Sequence, residues 1–149
     1  MSEFRGWCSF RVAGALFGVE VERVQEVVRN VAVTRVPPAP PAVAGLLNLR
    51  GRIVPVVDLR VLLGLPPADA SQGGIHVIVR DGDDPVSLCA DAIADVRRGD
   101  DIEVEPMPES FGPPHTELIL GVVKLGDDML LVLDLEAALD RAFAFQNTH

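Results

Sequence analysis

The chain has 149 residues, 48% of them apolar and 23% charged, with a net charge of −9. That length and balance suit one globular domain with a real core spanning residues 1–149. The negative charge argues against nucleic acid or an anionic membrane surface as partner, and no apolar run approaches the roughly 18 residues of a membrane helix.

The first stretch, Met1 to Trp7, lacks a long apolar region, so no signal peptide is expected. Cys8 and Cys89 form no motif and read as two reduced core thiols rather than a bridge. The charge is uneven. Residues 1–74 hold 8 Arg against 6 acids, a net of +2, and residues 75–149 hold 5 basic residues against 16 acids, a net of −11. Such a split suits a solvated acidic face, or two faces meeting different partners.

Cys8–Val12 and Leu16–Val21 alternate in polarity around Ala13-Gly14-Ala15, a hairpin pattern. Val21, Val24, Val27 and Val28 recur at spacings of three and four, which predicts a short helix from about Val21 to Gln25 running into extended chain. Val36-Pro-Pro-Ala-Pro-Pro-Ala can join neither a ladder nor a helix interior and reads as a stiff connector. Gly45–Gly64, GLLNLRGRIVPVVDLRVLLG, carries two apolar runs split by Arg50-Gly51-Arg52, a second hairpin. Asp58 then caps a short helix bearing Leu59, Leu62 and Leu63, which Gly64 ends.

Ala68–Gly74 is small and polar, a seam between halves of about 7–70 and 75–145. Ile75–Val79 and Val86–Ala90 are predicted strands around the turn Asp81-Gly82-Asp83-Asp84. Arg97–His115 is acidic, carries prolines and reads mostly as loop. Gly121–Leu125 and Met129–Leu133 form a further hairpin, and Asp134 caps a final helix with Leu135, Ala138 and Leu139. The tail past Phe145 is expected to fray.

The second half echoes the first. Gly45–Gly64 aligns without a gap to Gly121–Asp140 at an offset of 76 residues, with Gly45/Gly121, Leu49/Leu125, Asp58/Asp134, Leu59/Leu135 and Leu63/Leu139 identical. Upstream, Val24-Gln-Glu26-Val27 matches Ile93-Ala-Asp95-Val96 at an offset of 69. Two similar β-units, each too small for its own core, predict a mainly β fold of two small barrels packed on each other. The repeat fails at Arg50, which aligns with Gly126, and at Pro55, which aligns with Leu131. Arg50 is therefore a better functional candidate than Asp58, whose partner Asp134 points to a shared capping role.

Catalytic and cofactor patterns are missing. His76, His115 and His149 are scattered, and His76 reads as a satisfied core or edge histidine. No Cys or His spacing fits zinc, and no G-x-G-x-x-G, P-loop or nucleophile elbow occurs. Asp81, Asp83 and Asp84 lack the EF-hand spacing. Asp58 and Asp91 are explained by strand ends. The expectation is a binding protein with no catalytic residue, cofactor or metal.

The chain resembles the CheW family of chemotaxis coupling proteins. The residues that carry the resemblance are Cys8-Ser-Phe-Arg-Val, Val21-Glu-Arg-Val-Gln-Glu-Val, Gly45-Leu-Leu-Asn-Leu-Arg-Gly-Arg-Ile-Val-Pro-Val-Val-Asp-Leu-Arg and Leu130-Leu-Val-Leu-Asp-Leu. The resemblance implies two five-stranded, SH3-like β-barrels on a shared hydrophobic core, with a few short helices. It implies a coupling role between a CheA-type histidine kinase, bound through its CheW-like regulatory domain, and chemoreceptor cytoplasmic tips. The same fold also serves a module that binds a kinase without a receptor, in a motility or developmental pathway. The implied setting is cytoplasmic, at receptor arrays on the inner membrane. Receptor contacts would fall around Val24, Glu26, Val28, Gly45, Leu46, Asn48 and Arg50, while the kinase-facing residues stay unassigned. The family's usual G-L-x-V-D run is Ser87-Leu88-Cys89-Ala90-Asp91 here. The resemblance also suggests that Glu26, at the end of the first helix, faces Arg50 at the hairpin tip.

Overall fold

A computed structural model describes residues 6–67, 74–98 and 103–144. Strands β1 (Gly6–Val12) and β2 (Ala15–Glu20) turn through Ala13 and Gly14, whose φ of 51° and 84° are those of the turn that best matches strand twist. The expected helix shrinks to one 3-10 turn, Val21–Arg23, and the chain is already strand β3 (Val24–Arg29) at Glu26. The helical spacing of the valines has another origin. A bulge between Val24 and Glu26 puts Val24 and Val27, three apart, against the same core.

A two-residue strand β4 (Val33–Thr34) leads to β5 (Val43–Leu49), β6 (Arg52–Asp58) and helix α1 (Leu59–Leu62). The Asp58 carboxylate caps α1 by accepting from the Arg60 N–H at 2.9 Å. Strands β7 (Ile75–Asp81), β8 (Asp84–Ala90) and β9 (Ala92–Arg98) follow. The stretch expected as loop from Arg97 in fact begins inside β9 and holds a 3-10 turn, Glu109–Phe111, before helix α2 (His115–Leu118). The chain closes with β10 (Ile119–Leu125), β11 (Asp128–Leu133) and α3 (Leu135–Ala142), whose cap Asp134 accepts from Ala137 N at 3.1 Å. Most of the expected seam, residues 68–73, and the tail from residue 145 lie outside the described residues.

The strands form two sheets, β10-β11-β2-β1-β9 and β3-β7-β8-β6-β5-β4. Apart from the short β4, the two orders are the same: second hairpin, first hairpin, third strand. Each sheet, however, takes its first hairpin from the other half of the chain. β2 pairs parallel with β11, and β8 pairs parallel with β6. One sheet therefore takes β3 to β8, and the other β1, β2 and β9 to β11.

Side chains alternate along a strand, and the two faces of each sheet bury different clusters. The largest lies between the sheets, with Cys8, Phe10, Val12, Phe17 and Val19 from one, Val57, Val77, Val79 and Leu88 from the other, and Leu59 and Leu135 from the helices. Phe10 and Phe17 stack in it at 6.5 Å. On the opposite faces, Leu47, Leu49, Val54, Val56 and Ile78 fill one barrel, and Leu16, Val123, Leu130 and Val132 fill the other. Both cysteines are free, and burial together with the charges of Asp58 and Asp91 pushes the Cys89 thiol up to about 11.

The repeat extends to the backbone. Gly45 and Gly121 both sit at bulges, and a Cβ on either would collide with a crossing carbonyl, that of Thr34 or of Glu105. We expect Gly45→Ala and Gly121→Ala each to cost about 2–3 kcal/mol in denaturant unfolding, since the obstacle is backbone and cannot step aside. Unchanged stability in either variant would show that the crossing segment is free to move.

Candidate functional site

Strand β3 is one edge of its sheet, and the β5–β6 hairpin lies near the other. The sheet curls so that these ends meet. Arg50 Nη1 donates to Glu26 Oε1 at 3.0 Å, and Nη2 donates to Oε2, a two-pronged pair. The pair bridges the gap that the hydrogen-bond ladder leaves open. Beneath it, Val28 of β3 and Val31 and Val33 pack against the apolar filling of this barrel. Arg50 is 67% exposed and Glu26 26%. The Arg50 guanidinium holds the Glu26 carboxyl below its ordinary range, helped by the Gln25 amide, and Glu26 in turn raises Arg50.

Arg50 stands at an unusual backbone position. Its φ is 51°, left-handed, and the following Gly51 has 88°. The equivalent Gly126 has φ 62°, the conformation glycine adopts without steric cost. The first hairpin thus carries a long cationic side chain where the turn geometry favours glycine, and the second half folds without it.

The other five residues named from the resemblance divide by orientation. Val24 is half-buried against the inter-sheet core, Val28 is half-buried in the barrel, and Gly45 is buried under Thr34. Asn48 is exposed, and its Oδ1 accepts from Gly51 N at 2.8 Å, which braces the turn holding Arg50. Leu46 is half-buried and lies opposite Pro55, while Asn48 lies opposite Ile53. Directly opposed residues share a face, so Leu46, Asn48, Ile53 and Pro55 form one outward patch beside the Glu26–Arg50 pair. Sequence reasoning missed Ile53, which is 60% exposed. Its repeat partner Met129 is also apolar and 58% exposed, and that shared solvent-facing apolar position was the available signal.

The Ser87 run is internally consistent. Ser87 is fully buried, and its hydroxyl lies 2.9 Å from Nδ1 of the buried His76. Asp91 accepts from Arg60 Nη2 at 2.7 Å and from Ala13 N at 2.7 Å, tying α1 to the β1–β2 turn across the two sheets. Arg60 is the foremost reason that the Asp91 carboxyl lies below its ordinary range. Among the described residues no group of three or more His, Cys, Asp or Glu is placed to hold a metal ion, and no helix is long and apolar enough to cross a membrane.

A family model described as CheW-like domain matches residues 7–143. The chain is 30% identical over 130 residues to the chemotaxis protein CheW of Klebsiella aerogenes, covering 87% of this chain and 78% of that protein. It is 31% identical over 132 residues to the chemotaxis protein CheW of Bacillus subtilis, covering 89% and 85%. Its fold matches the crystal structure of scaffolding protein TtCheW from Thermoanaerobacter tengcongensis with a TM-score of 0.76 at 29% identity, over 89% of this chain and 90% of that one. The exchanged pair of barrel-like sheets is thus shared with a protein named a scaffold. This chain belongs to the CheW-like family.

Replacing Arg50 by the residue of its repeat partner separates turn from surface. We expect Arg50→Gly to shift the thermal midpoint by less than about 3 °C, because relief of the left-handed backbone offsets loss of an exposed ion pair. The Glu26 carboxyl, followed by NMR, should titrate closer to its ordinary value of 4.5 in that variant. A large fall in midpoint would make Arg50 a structural residue.

Proposed function

We propose that this chain is a non-enzymatic coupling scaffold of bacterial chemosensory signalling, linking a CheA-type histidine kinase to chemoreceptor cytoplasmic tips. The observation that carries the reading is the family match across residues 7–143, nearly the whole chain, with relatives named as chemotaxis proteins. The receptor-facing surface is the outward patch of Leu46, Asn48, Ile53 and Pro55 with the Glu26–Arg50 pair. Val24, Val28 and Gly45 act from beneath by setting the shape of that wall. The kinase partner is its regulatory domain, met at micromolar affinity, about −8 kcal/mol for the isolated pair. The protein works in the cytoplasm, recruited to receptor arrays at the inner membrane.

The ion pair serves binding rather than folding, because exposed pairs add little to stability. Arg50→Glu alone, and with Glu26→Arg, should leave the thermal midpoint nearly unchanged and abolish receptor-dependent kinase activation in both variants. A midpoint that collapses in the single variant and recovers in the swap, with activity following it, would make the pair structural. Pull-downs with the receptor tip and the kinase regulatory domain, offered separately, test the partners. Capture of both is expected. Capture of the kinase alone would replace coupling by a receptor-independent regulatory role.

A further inference from the structure

The two barrels solve one interior position in opposite ways. At the 69-residue offset, Trp7 and Gly18 correspond to His76 and Ser87. In one barrel Gly18 makes room, since a Cβ there would lie 3.0 Å from the Trp7 Cβ and from Leu130. In the other, serine replaces the glycine and histidine the tryptophan, and the two hydrogen-bond in the interior. A polar, titratable pair stands where the sister barrel has tryptophan and glycine.

His76 lies directly opposite Val28 on β3, and the adjacent Ile78 lies opposite Glu26. Opposed residues share a face, as do residues two apart, so Glu26 is a diagonal neighbour of His76, within reach of its long side chain. We propose that His76 is a proton-sensitive switch beneath the candidate binding surface: its imidazolium draws the Glu26 carboxylate away from Arg50 and so frees Arg50 and loosens edge strand β3. This regulation rests on the reading of that surface as receptor-facing.

The surroundings leave few other partners for the charge. From β8 come Ser87, already bonded to the ring, and the Cys89 thiol, opposite His76 and protonated at neutral pH. From β6 comes Asp58, opposite Cys89 and engaged as the α1 cap. Asp91, beyond the end of β8, is held by Arg60. From β3 comes Glu26, whose partner Arg50 is mostly exposed and is compensated by water when released. Burial lowers the His76 pKa below 6.5, so the ring is neutral at neutral pH and charges as the medium acidifies. The sign follows. A depressed histidine pKa costs nothing above the unfolded value near 6.5 and destabilises the folded state progressively as pH falls below it.

The test is an NMR titration of the full chain from about pH 8 to 5, following the His76 ring and the Arg50 Nε–H, with affinity for a receptor-tip fragment measured at both ends. Arg50 should show a step at the His76 midpoint, and His76→Gln should abolish that step, since the Glu26 carboxyl titrates below this range. Affinity should fall at least about fivefold on acidification in the parent and stay flat in His76→Gln. The double variant His76→Trp with Ser87→Gly, copying the other barrel, should be equally insensitive. An Arg50 step that is absent, or that survives in His76→Gln, overturns the switch, as does binding equally strong at both ends in the parent. A coupled step with a fragment that never binds supports the switch and defeats the partner assignment alone.

Discussion

Two parallel strand pairings, β2 with β11 and β8 with β6, hold this molecule together. Each joins a first hairpin from one half of the chain to a second hairpin from the other. Remove either pairing and a barrel loses its central contact, because β2 and β8 sit in the middle of their sheets. Neither half contains a complete sheet, so neither can bury both faces alone. The inter-sheet core then follows. The hairpins that cross over carry Phe10, Phe17, Val77, Val79 and Leu88, all of which face the seam. Burial of such side chains contributes about 1.5–3 kcal/mol each, which makes the seam the main source of cooperativity between the barrels.

The exchange explains what was legible in the sequence and what was not. Hairpins were visible because turn residues and apolar alternation are local: Ala13-Gly14, Arg50-Gly51 and Asp81-Gly82 all mark real turns. The two Asp-Leu caps were visible because capping chemistry is local too. The duplication was also legible, since Val54 and Leu130, Val56 and Val132, and Leu59 and Leu135 are buried in pairs. Which half lends its hairpin to which sheet left no trace, because both arrangements satisfy the same alternation. The valine spacing misled for a related reason. A bulge shifts a strand by one residue, and three-residue spacing on one face then imitates a helical stripe.

The candidate site shows the same division. The pairing of Glu26 with Arg50 came from the resemblance, and the break in the repeat at Gly126 singled out Arg50 from the residues alone. The inward orientation of Val24 and Val28 and the burial of Gly45 depend on the bulge and on the crossing of Thr34, which are tertiary facts. Ile53 escaped notice because a continuous apolar run, Ile53–Val57, conceals which members face out. Strand pairing separates Val54 and Val56, which fill the barrel, from Val57 on the opposite face, and leaves Ile53 in solvent.

Duplication supplies an internal control for telling function from folding. Where both halves keep a feature, as with the bulge glycines and the capping aspartates, folding alone accounts for it. Where they diverge at a costly position, folding does not. Arg50 at a left-handed position whose equivalent is Gly126, and a hydrogen-bonded His76–Ser87 pair where the sister barrel has Trp7 and Gly18, are both costly, and each equivalent position does without them. Both lie in the same barrel, one at its rim and one on its inner wall, and Glu26 on β3 is the residue between them. The coincidence has a structural cause. Strand β3 is an edge held on one side by β7 and on the other only by side chains, so it is the wall most readily shifted by a change of charge.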